Sequence, residues 1–212
     1  AAPNSRPGSF YFGNYVKAIT KSPLVKQFTN SVIVAVSTLV LLVVVGALAA
    51  FPISKMRFKQ ADKVMTYFLL GIMIPSFVCL IPMFTIYKEL GLRNTYASLV
   101  IPQLGFGLPM CIYLYVNFMK FIPNSLCEAA TIDGASSFIT FSRIIFPMAK
   151  NSTITIVIFN FVNVWNEYVY ANTFMTKSTM KTLPIGLNDF VGEMGSRDWG
   201  ATFAAIVIAV LP

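Results

Sequence analysis

Long uninterrupted apolar runs constrain this chain more than any other feature of its sequence. The first run, residues 28–51, contains the stretch TLVLLVVVGALAAF, and three further runs cover roughly residues 64–87, 97–119 and 148–170. A transmembrane helix needs about 20 consecutive, mostly apolar residues, so each run is long enough to cross a bilayer. Only 11% of the residues are charged, against roughly 25% in soluble domains. The sequence therefore predicts an all-α, polytopic transmembrane helix bundle.

A fifth apolar run, GATFAAIVIAVLP, begins at Gly200 and stops with the chain at Pro212. Such a short helix extends about 20 Å, which is less than a hydrocarbon core about 30 Å thick. The other end starts at Ala1, with neither an initiator Met nor a signal segment. We therefore expect the polypeptide to be truncated at both ends.

The basic residues flank the apolar runs, and the formal net charge is +8. Lys and Arg beside transmembrane helices interact with anionic lipid, which explains this charge without a nucleic-acid partner. The loop SKMRFKQADK after the first run favours the cytoplasmic side, and residues 120–147, two runs later, then lie on that side as well. Four basic residues among the first 27 fall on the opposite side, so charge favours this orientation without fixing it.

The sequence offers no groups for common enzyme chemistry. It contains no histidine, so it has no HExxH zinc site, and it has no G-x4-GK-[ST] phosphate loop. Cys79, Cys111 and Cys127 lack metal-ligand spacing, and we expect them to be small apolar residues of the core. The chain is thus predicted to have no catalytic residue, no metal and no cofactor of its own.

A polar stretch, EAATIDGASSFITFSRIIFP, starts at Glu128 and separates the third and fourth apolar runs. Ser125 stands three residues earlier, which is the spacing of a capping box. We expect a short helix from about residue 126 to residue 132, ended by Gly134 in the left-handed conformation. Asp133 is expected to cap a second helix that runs towards the fourth span. The alternative is that the acidic residues only cap helices and that nothing docks here.

Four polar residues of the fourth run share one face of an ideal helix. Amide and carboxylate groups that faced lipid would be costly, so this face is predicted to line a pathway or gate. The alternative is that the asparagines bond neighbouring helices, for about 0.6–2 kcal/mol each, and that the glutamate reaches interfacial water. These pathway candidates are Thr153, Asn160, Asn163 and Glu167.

The polar stretch also fits the motif EAA-x2-DGA-x5-F-x2-I-x2-P. On these residues the chain resembles the inner-membrane permease subunits of binding-protein-dependent ABC importers. In that family the segment forms a coupling helix held in a cleft of the cytoplasmic ATPase subunit, so the resemblance implies that the matching residues couple ATPase motion to the membrane helices. One departure is Asn151, where the family often has a second proline. The matching residues are Glu128, Ala129, Ala130, Asp133, Gly134, Ala135, Phe141, Ile144 and Pro147.

Further stretches, among them FGNYVKAI, NSVIVAVSTLV, FVNVWNEYVYANTF and KTLPIGLNDFVG, resemble the MalG-like subunits of maltose-type carbohydrate importers. The resemblance implies the type I ABC importer permease fold, in the cell membrane, with one helix missing before residue 1 and the last helix incomplete. It places residues 1–27 outside as an extracytoplasmic segment. Residues 28–212 then form the permease core, with a cytoplasmic coupling segment at residues 123–146.

The resemblance also implies partners. These are a second permease subunit, expected to be a distinct MalF-like protein, a cytoplasmic ATPase dimer that holds ATP and Mg, an extracytoplasmic sugar-binding protein and membrane lipid. In the maltose system, the loop that corresponds to residues 171–199 reaches into the binding protein. The residues expected to make this contact are Thr182, Leu183, Pro184 and Gly186.

The predicted function is therefore that of a permease subunit of an ATP-driven, binding-protein-dependent carbohydrate (oligosaccharide) importer. Import of a non-sugar solute stays open, because the motif is shared across importer classes. A stand-alone channel or secondary transporter would be expected to have ionisable relay residues at mid-membrane. Glu167 is the single candidate for such a relay, and the motif match would then be a coincidence.

Overall fold

The computed structural model describes residues 13–21, 23–56, 58–190 and 199–210. Within these ranges the chain consists of helices and turns, with no strand. The prediction of an all-α fold is confirmed. The first twelve residues of the predicted extracytoplasmic segment lie outside the described part of the chain.

Among the described residues, two helices are each long and apolar enough to cross a membrane. Helix α2 covers Leu24–Lys55 and helix α5 covers Ala97–Lys120. They coincide with the first and third predicted spans and pack against each other. A Cβ atom at Gly46 of α2 would lie 2.6 Å from the Cys111 sulfur of α5, so a glycine is required at this close approach.

The second predicted span is broken in two. Its first part is helix α3, which covers Ala61–Ile72. Its second part covers Ser76–Glu89 and consists of a 3₁₀ turn followed by helix α4, Leu80–Glu89. The two parts meet at an angle of 79°. Pro75 lies at the break with ψ 120°, because proline cannot continue the hydrogen-bond ladder of the preceding helix. Pro82 lies in the first turn of α4, where the missing N–H leaves no bond unmade.

The fourth predicted span ends early, and a sharp bend lies at its start. A helical segment, Ser137–Met148, meets helix α9, Lys150–Trp165, at 72°. The helix was expected to continue to about residue 170, but it ends at Trp165. The first segment consists of α7, a π-helical turn and α8, which cover Ser137–Thr140, Phe141–Ile145 and Phe146–Met148.

The remaining helices are short and lie at the ends of the bundle or beside it. They are α1, Gly13–Lys21; α6, Ser125–Ile132; α10, Val169–Phe174; α11, Leu183–Gly186; and α12, Trp199–Val210. We call the end where α6 lies the inner end and the end where α11 lies the outer end.

Buried apolar side chains form two clusters, one towards each end of the bundle. The outer cluster includes Leu99, Phe174 and Leu183, and the inner cluster includes Tyr115 and Ile145. Helix α2 passes through both clusters and contacts α5, α9 and α11. It is therefore the central element of the fold.

Candidate coupling and translocation sites

Helix α6 begins without the predicted capping box. Ser125 is already its first helical residue, so it cannot be the N-cap. Asn124 holds that position with no side-chain cap. The Asn124 carbonyl instead accepts the N–H groups of Cys127 and Glu128 at 2.9 and 3.1 Å. The capping-box prediction is wrong, because the helix begins one residue earlier than a capping box at Ser125 requires.

The bend after α6 has the predicted geometry. Gly134 has φ +78°. Its N–H donates to the Thr131 carbonyl at 3.1 Å, and the Ala135 N–H donates to the Ala130 carbonyl at 2.9 Å. These are the two hydrogen bonds of a Schellman motif, which ends a helix on a left-handed residue. The prediction for Gly134 is confirmed.

The second short helix is capped by Ser136 and not by Asp133. The Ser136 hydroxyl accepts the Ile139 N–H at 3.4 Å, and Ser136 has the extended backbone of an N-cap. Asp133 is the last residue of the α6 turn, where its own N–H donates to the Ala129 carbonyl at 2.9 Å. Because the Schellman turn uses residues 133–135, the next helix starts too late for Asp133 to cap it.

The nine motif residues divide into an exposed group and an anchoring group. Phe141 is buried and its ring contacts Phe51 of α2 with centroids 5.4 Å apart. Ala130 is buried, and Ala135 and Ile144 are half-buried. The anchoring group thus holds the segment against the inner cluster. The exposed residues of the motif are Glu128, Ala129, Asp133, Gly134 and Pro147.

Large apolar side chains project from the same segment into solvent. Ile132 is 86% exposed and Phe138 is 67% exposed. A pair of exposed apolar residues among polar ones is typical of a surface that docks another protein. They stand in sequence on either side of the Gly134 bend, and we call these two residues, together with the exposed motif residues beside the bend, the docking surface.

Lys55, at the end of α2, contacts the start of the coupling segment. Its Nζ donates to the Ile122 carbonyl and, at 3.0 Å, to the Asn124 Oδ1. A cavity of about 290 Å³ lies beside it and is lined in part by Glu128 and Thr131. In the sequence, Lys55 served only as a topology signal. The sequence signals that could have indicated this contact are a lysine at the end of the first span and the Pro-Asn pair that precedes α6.

A cavity of about 310 Å³ brings together three of the four pathway candidates. Asn160, Asn163 and Glu167 line it with residues of α5 and the α4 region. Asn160 is buried, and its amide donates to the Ile156 carbonyl of its own helix at 2.8 Å. Asn163 is exposed and bonds the Phe159 carbonyl in the same way at 2.9 Å. Neither bond is made to a neighbouring helix.

Helix α5 contributes further groups to this cavity. The Gln103 side-chain oxygen is buried and has no hydrogen-bond partner among the described residues. Phe106 of α5 stacks on Tyr170 with ring centroids 6.4 Å apart and planes inclined by 15°. Gln103 was not among the residues predicted from the sequence, although an amide within an apolar span is a recognisable signal.

Glu167 does not share a helical face with the asparagines, because α9 ends two residues before it. Its carboxylate accepts the N–H groups of Tyr170 at 2.6 Å and Ala171 at 3.0 Å. These donors belong to the first turn of α10, whose unpaired N–H groups favour a negative charge. Glu167 therefore both lines the cavity and starts α10.

Thr153 lies apart from the other three candidates. Its hydroxyl accepts from the Tyr115 hydroxyl at 3.0 Å and donates to the Ala149 carbonyl at 3.0 Å. It is not among the residues that line the cavity. Thr153 lies two turns before Asn160 in α9 and so shares its helical face, as predicted, but at a different level along the helix. The predicted common face is wrong for Glu167, which follows the end of α9.

The residues expected to contact a binding protein are largely covered by this chain's own α2. Thr182 is 4% exposed, Leu183 is fully buried, and Gly186 is buried against the Gln27 side chain. Only Pro184 is half-buried. The exposed residues here are the preceding residues 176–179 and the following residues 188–189.

Side chains of α2 hold residues 175–189, which we call the outer segment. Asn30 donates to the carbonyls of Thr179 at 3.0 Å and Lys181 at 2.8 Å. Ser31 accepts the Leu183 N–H at 2.9 Å, and Gln27 donates to the Asp189 carboxylate at 2.8 Å.

Asn94 adds a further anchor for the outer segment from the loop before α5. Its Oδ1 accepts the N–H groups of Thr176 and Lys177, each at 2.8 Å. Asn94 itself has φ +58°, a left-handed conformation that asparagine tolerates better than most residues. The outer segment is therefore fixed from two sides.

Comparison with known proteins gives one consistent result. The sequence model of the binding-protein-dependent transport system inner membrane components matches residues 21–212. The diacetylchitobiose uptake system permease protein NgcG of Streptomyces coelicolor is 32% identical, over 100% of this chain and 70% of that protein. The trehalose/maltose transport system permease protein MalG of Thermococcus litoralis is 31% identical, over 94% of this chain and 72% of that protein.

A third relative and a solved structure extend this pattern. The melibiose/raffinose/stachyose import permease protein MelC of Bacillus subtilis is 30% identical, over 97% of this chain and 75% of that protein. A bacterial ABC transporter involved in the import of the acidic polysaccharide alginate superposes with a TM-score of 0.86, over 100% of this chain and 80% of the matched one. At 20% identity, this likeness concerns the fold.

Proposed function

The chain belongs to the family of binding-protein-dependent transport system inner membrane components, and from that premise we propose that it imports carbohydrate, as an oligosaccharide, with energy supplied by a separate ATPase. As a member of this family, the chain is a permease subunit of the cell membrane. The proposal of a carbohydrate is supported by relatives whose names give diacetylchitobiose, trehalose or maltose, and melibiose, raffinose or stachyose as the imported compounds.

The coupling segment is the observation that carries the proposal. It presents a rigid bend whose docking surface includes Ile132 and Phe138, while Phe141 anchors it to α2. A partner docked on this segment would cover these exposed apolar residues. We assign that partner as the cytoplasmic ATPase, which holds the ATP and Mg, and we assign the contact to the exposed motif residues beside the bend.

The cavity beside α9 is the proposed translocation surface. Gln103, Asn160 and Asn163 offer amide groups, Glu167 offers a carboxylate, and Tyr170 with its stacked neighbour offers aromatic faces. Amides and carboxylates hydrogen-bond sugar hydroxyl groups, and aromatic rings pack on the apolar faces of sugar rings. This combination supports a carbohydrate better than an apolar solute.

The second permease subunit is proposed to cover the exposed side of α9. Ile158 and Val162 are exposed there beside Thr155 and Asn163. Amide and hydroxyl side chains on a lipid-facing surface would be costly, whereas a second protein subunit can accept them. The translocation surface then lies between the two permeases, and a distinct MalF-like partner is our expectation.

The extracytoplasmic sugar-binding protein is proposed to dock on the outer segment. The exposed residues of this segment are 176–179 and 188–189, and Pro184 is half-buried. Thr182, Leu183 and Gly186 support that surface from below through their contacts with α2. Their role in the contact is therefore to shape the docking surface of the outer segment.

A solute screen on the assembled complex tests this function. The complex is purified with its ATPase and binding protein, reconstituted in vesicles, and assayed for uptake and ATP hydrolysis with oligosaccharides, amino acids and peptides. Oligosaccharides are expected to stimulate both rates, and Asn160→Leu is expected to weaken sugar uptake while the complex still assembles. Stimulation by amino acids or peptides alone would refute carbohydrate import.

A further inference from the structure

Helix α2 is hydrogen-bonded to both of the surfaces on which partners are proposed to act. At its inner end, Lys55 donates to the Ile122 carbonyl and to the Asn124 side chain. Asn124 is the N-cap of α6, and its carbonyl accepts the first N–H groups of that helix. The Lys55 ammonium therefore fixes where α6 starts relative to α2.

At its outer end, α2 is bonded through a fully buried amide. Asn30 is 0% exposed, and both of its amide atoms are used: Nδ2 donates to the carbonyls of Thr179 and Lys181, and Oδ1 accepts from the Tyr96 hydroxyl at 2.9 Å. A buried amide with all of these bonds made is rigid, because any movement would leave polar groups unpaired. The outer segment is thus attached to α2 and to the start of α5.

The helix between these two anchors is continuous. Asn30 and Lys55 are separated by about 37 Å along the axis at 1.5 Å per residue. The spans formed by the bent pairs change direction by 79° and 72°, whereas α2 is a single helix from Leu24 to Lys55. Its internal proline, Pro52, leaves the Leu48 carbonyl without its helical donor, but the helix continues through this turn to Lys55.

We propose that α2 is a rigid tie that makes the outer segment and the coupling segment move together, with Asn30 and Lys55 as its positioning residues. This inference rests on the proposed function, since it assumes a binding protein at one end and an ATPase at the other. Docking of the binding protein would displace the outer segment. The tie carries that displacement to the start of α6, and hence to the ATPase.

The test is a double-mutant cycle on the reconstituted complex, measuring ATP hydrolysis with and without the binding protein. Lys55→Met and Asn30→Leu each remove one anchor at similar side-chain volume. Each is expected to lower the rate of ATP hydrolysis stimulated by the binding protein about tenfold, which is the usual effect of losing hydrogen bonds to a charged or buried group. The rate without binding protein is expected to stay within about twofold of the wild-type rate. Because both act on one tie, the double variant is also expected to lose about tenfold.

Distant, independent sites instead give effects that combine. A loss of about a hundredfold in the double variant would therefore overturn the tie, as would wild-type stimulation in both single variants. An equal fall of the unstimulated rate would reduce the two residues to a structural role and would overturn it too. If Asn30→Leu prevents assembly, Ser31→Ala, which removes one bond to the outer segment, replaces it.

Two further variants isolate the chemistry at Lys55. Lys55→Arg keeps donors for both oxygen atoms and is expected to restore at least half of the stimulated rate; failure to do so contradicts the bonded anchor. Lys59→Met removes a positive charge from an exposed residue at the same end and is expected to behave as wild type. The cycle is run with any solute that the complex imports, so a non-sugar solute would refute the proposed substrate and leave this test intact.

Discussion

Substitution of Gly134 separates the backbone of the coupling segment from its side chains. Gly134 has φ +78°, and a Cβ atom there would meet no atom of the described residues within 4 Å. Within this chain a larger residue therefore costs no packing, only the left-handed conformation, which is about 1–2 kcal/mol for an ordinary L-residue. For Gly134→Val, at the upper end because of β-branching, the bent conformation becomes roughly 30-fold less favourable. For Gly134→Ala the factor is roughly 5.

The assay is ATP hydrolysis coupled to uptake in the reconstituted complex, after assembly has been checked. Coupled transport is expected to fall in the order Gly, Asn, Ala, Val at this position, because asparagine tolerates positive φ. Gly105→Val is the matched control, since Gly105 also has open space around its Cβ position but no positive φ. Wild-type coupling in Gly134→Val would refute the requirement for the bend. A Gly134→Asn variant as poor as Gly134→Val would show that side-chain volume, and not backbone conformation, is decisive.

Two other substitutions test the outer end. Gly186→Ala places a Cβ atom within the Gln27 side chain, which is itself fully buried. We therefore expect the folded state to lose about 1–3 kcal/mol of stability and the detergent-solubilised complex to melt at a lower temperature. An unchanged melting temperature would contradict this packing. Glu167→Gln leaves one oxygen for two N–H donors, so α10 should lose about 1–2 kcal/mol. Faster proteolysis or hydrogen exchange at residues 168–172 is the expected result, and wild-type protection there would exclude the capping role.

The sequence predicted the features that depend on local composition. Apolar length located helices α2, α5 and α9 and the bent pair between α2 and α5, and the glycine at position 134 located the bend, because few other residues adopt its conformation. Local composition is less informative about the prolines of the second run. It did not distinguish Pro75, which ends a helix, from Pro82, which lies harmlessly in the first turn of the next one.

The features that the sequence missed depend on contacts between distant residues. Helical periodicity treats residues 153–167 as one straight helix, and nothing local marks the end at Trp165. That end is associated with the Glu167 carboxylate, which instead holds the first turn of α10. Similarly, the burial of Leu183 follows from its contact with α2, more than 150 positions earlier in the chain. Such tertiary contacts override local patterns.

The π-helical turn at Phe141–Ile145 makes the length of the coupling segment as important as its residues. The Phe146 N–H donates to the Phe141 carbonyl, five residues back, so this turn contains one residue more than an α-helical turn would. Deleting a single residue here would restore α-helical geometry and rotate the residues before the turn by about 100° relative to the residues after it. The docking surface would then point away from its present direction, although every contact residue was still present. In an alignment with related chains, an insertion or deletion in this segment is therefore more informative about the direction of the docking surface than a substitution is.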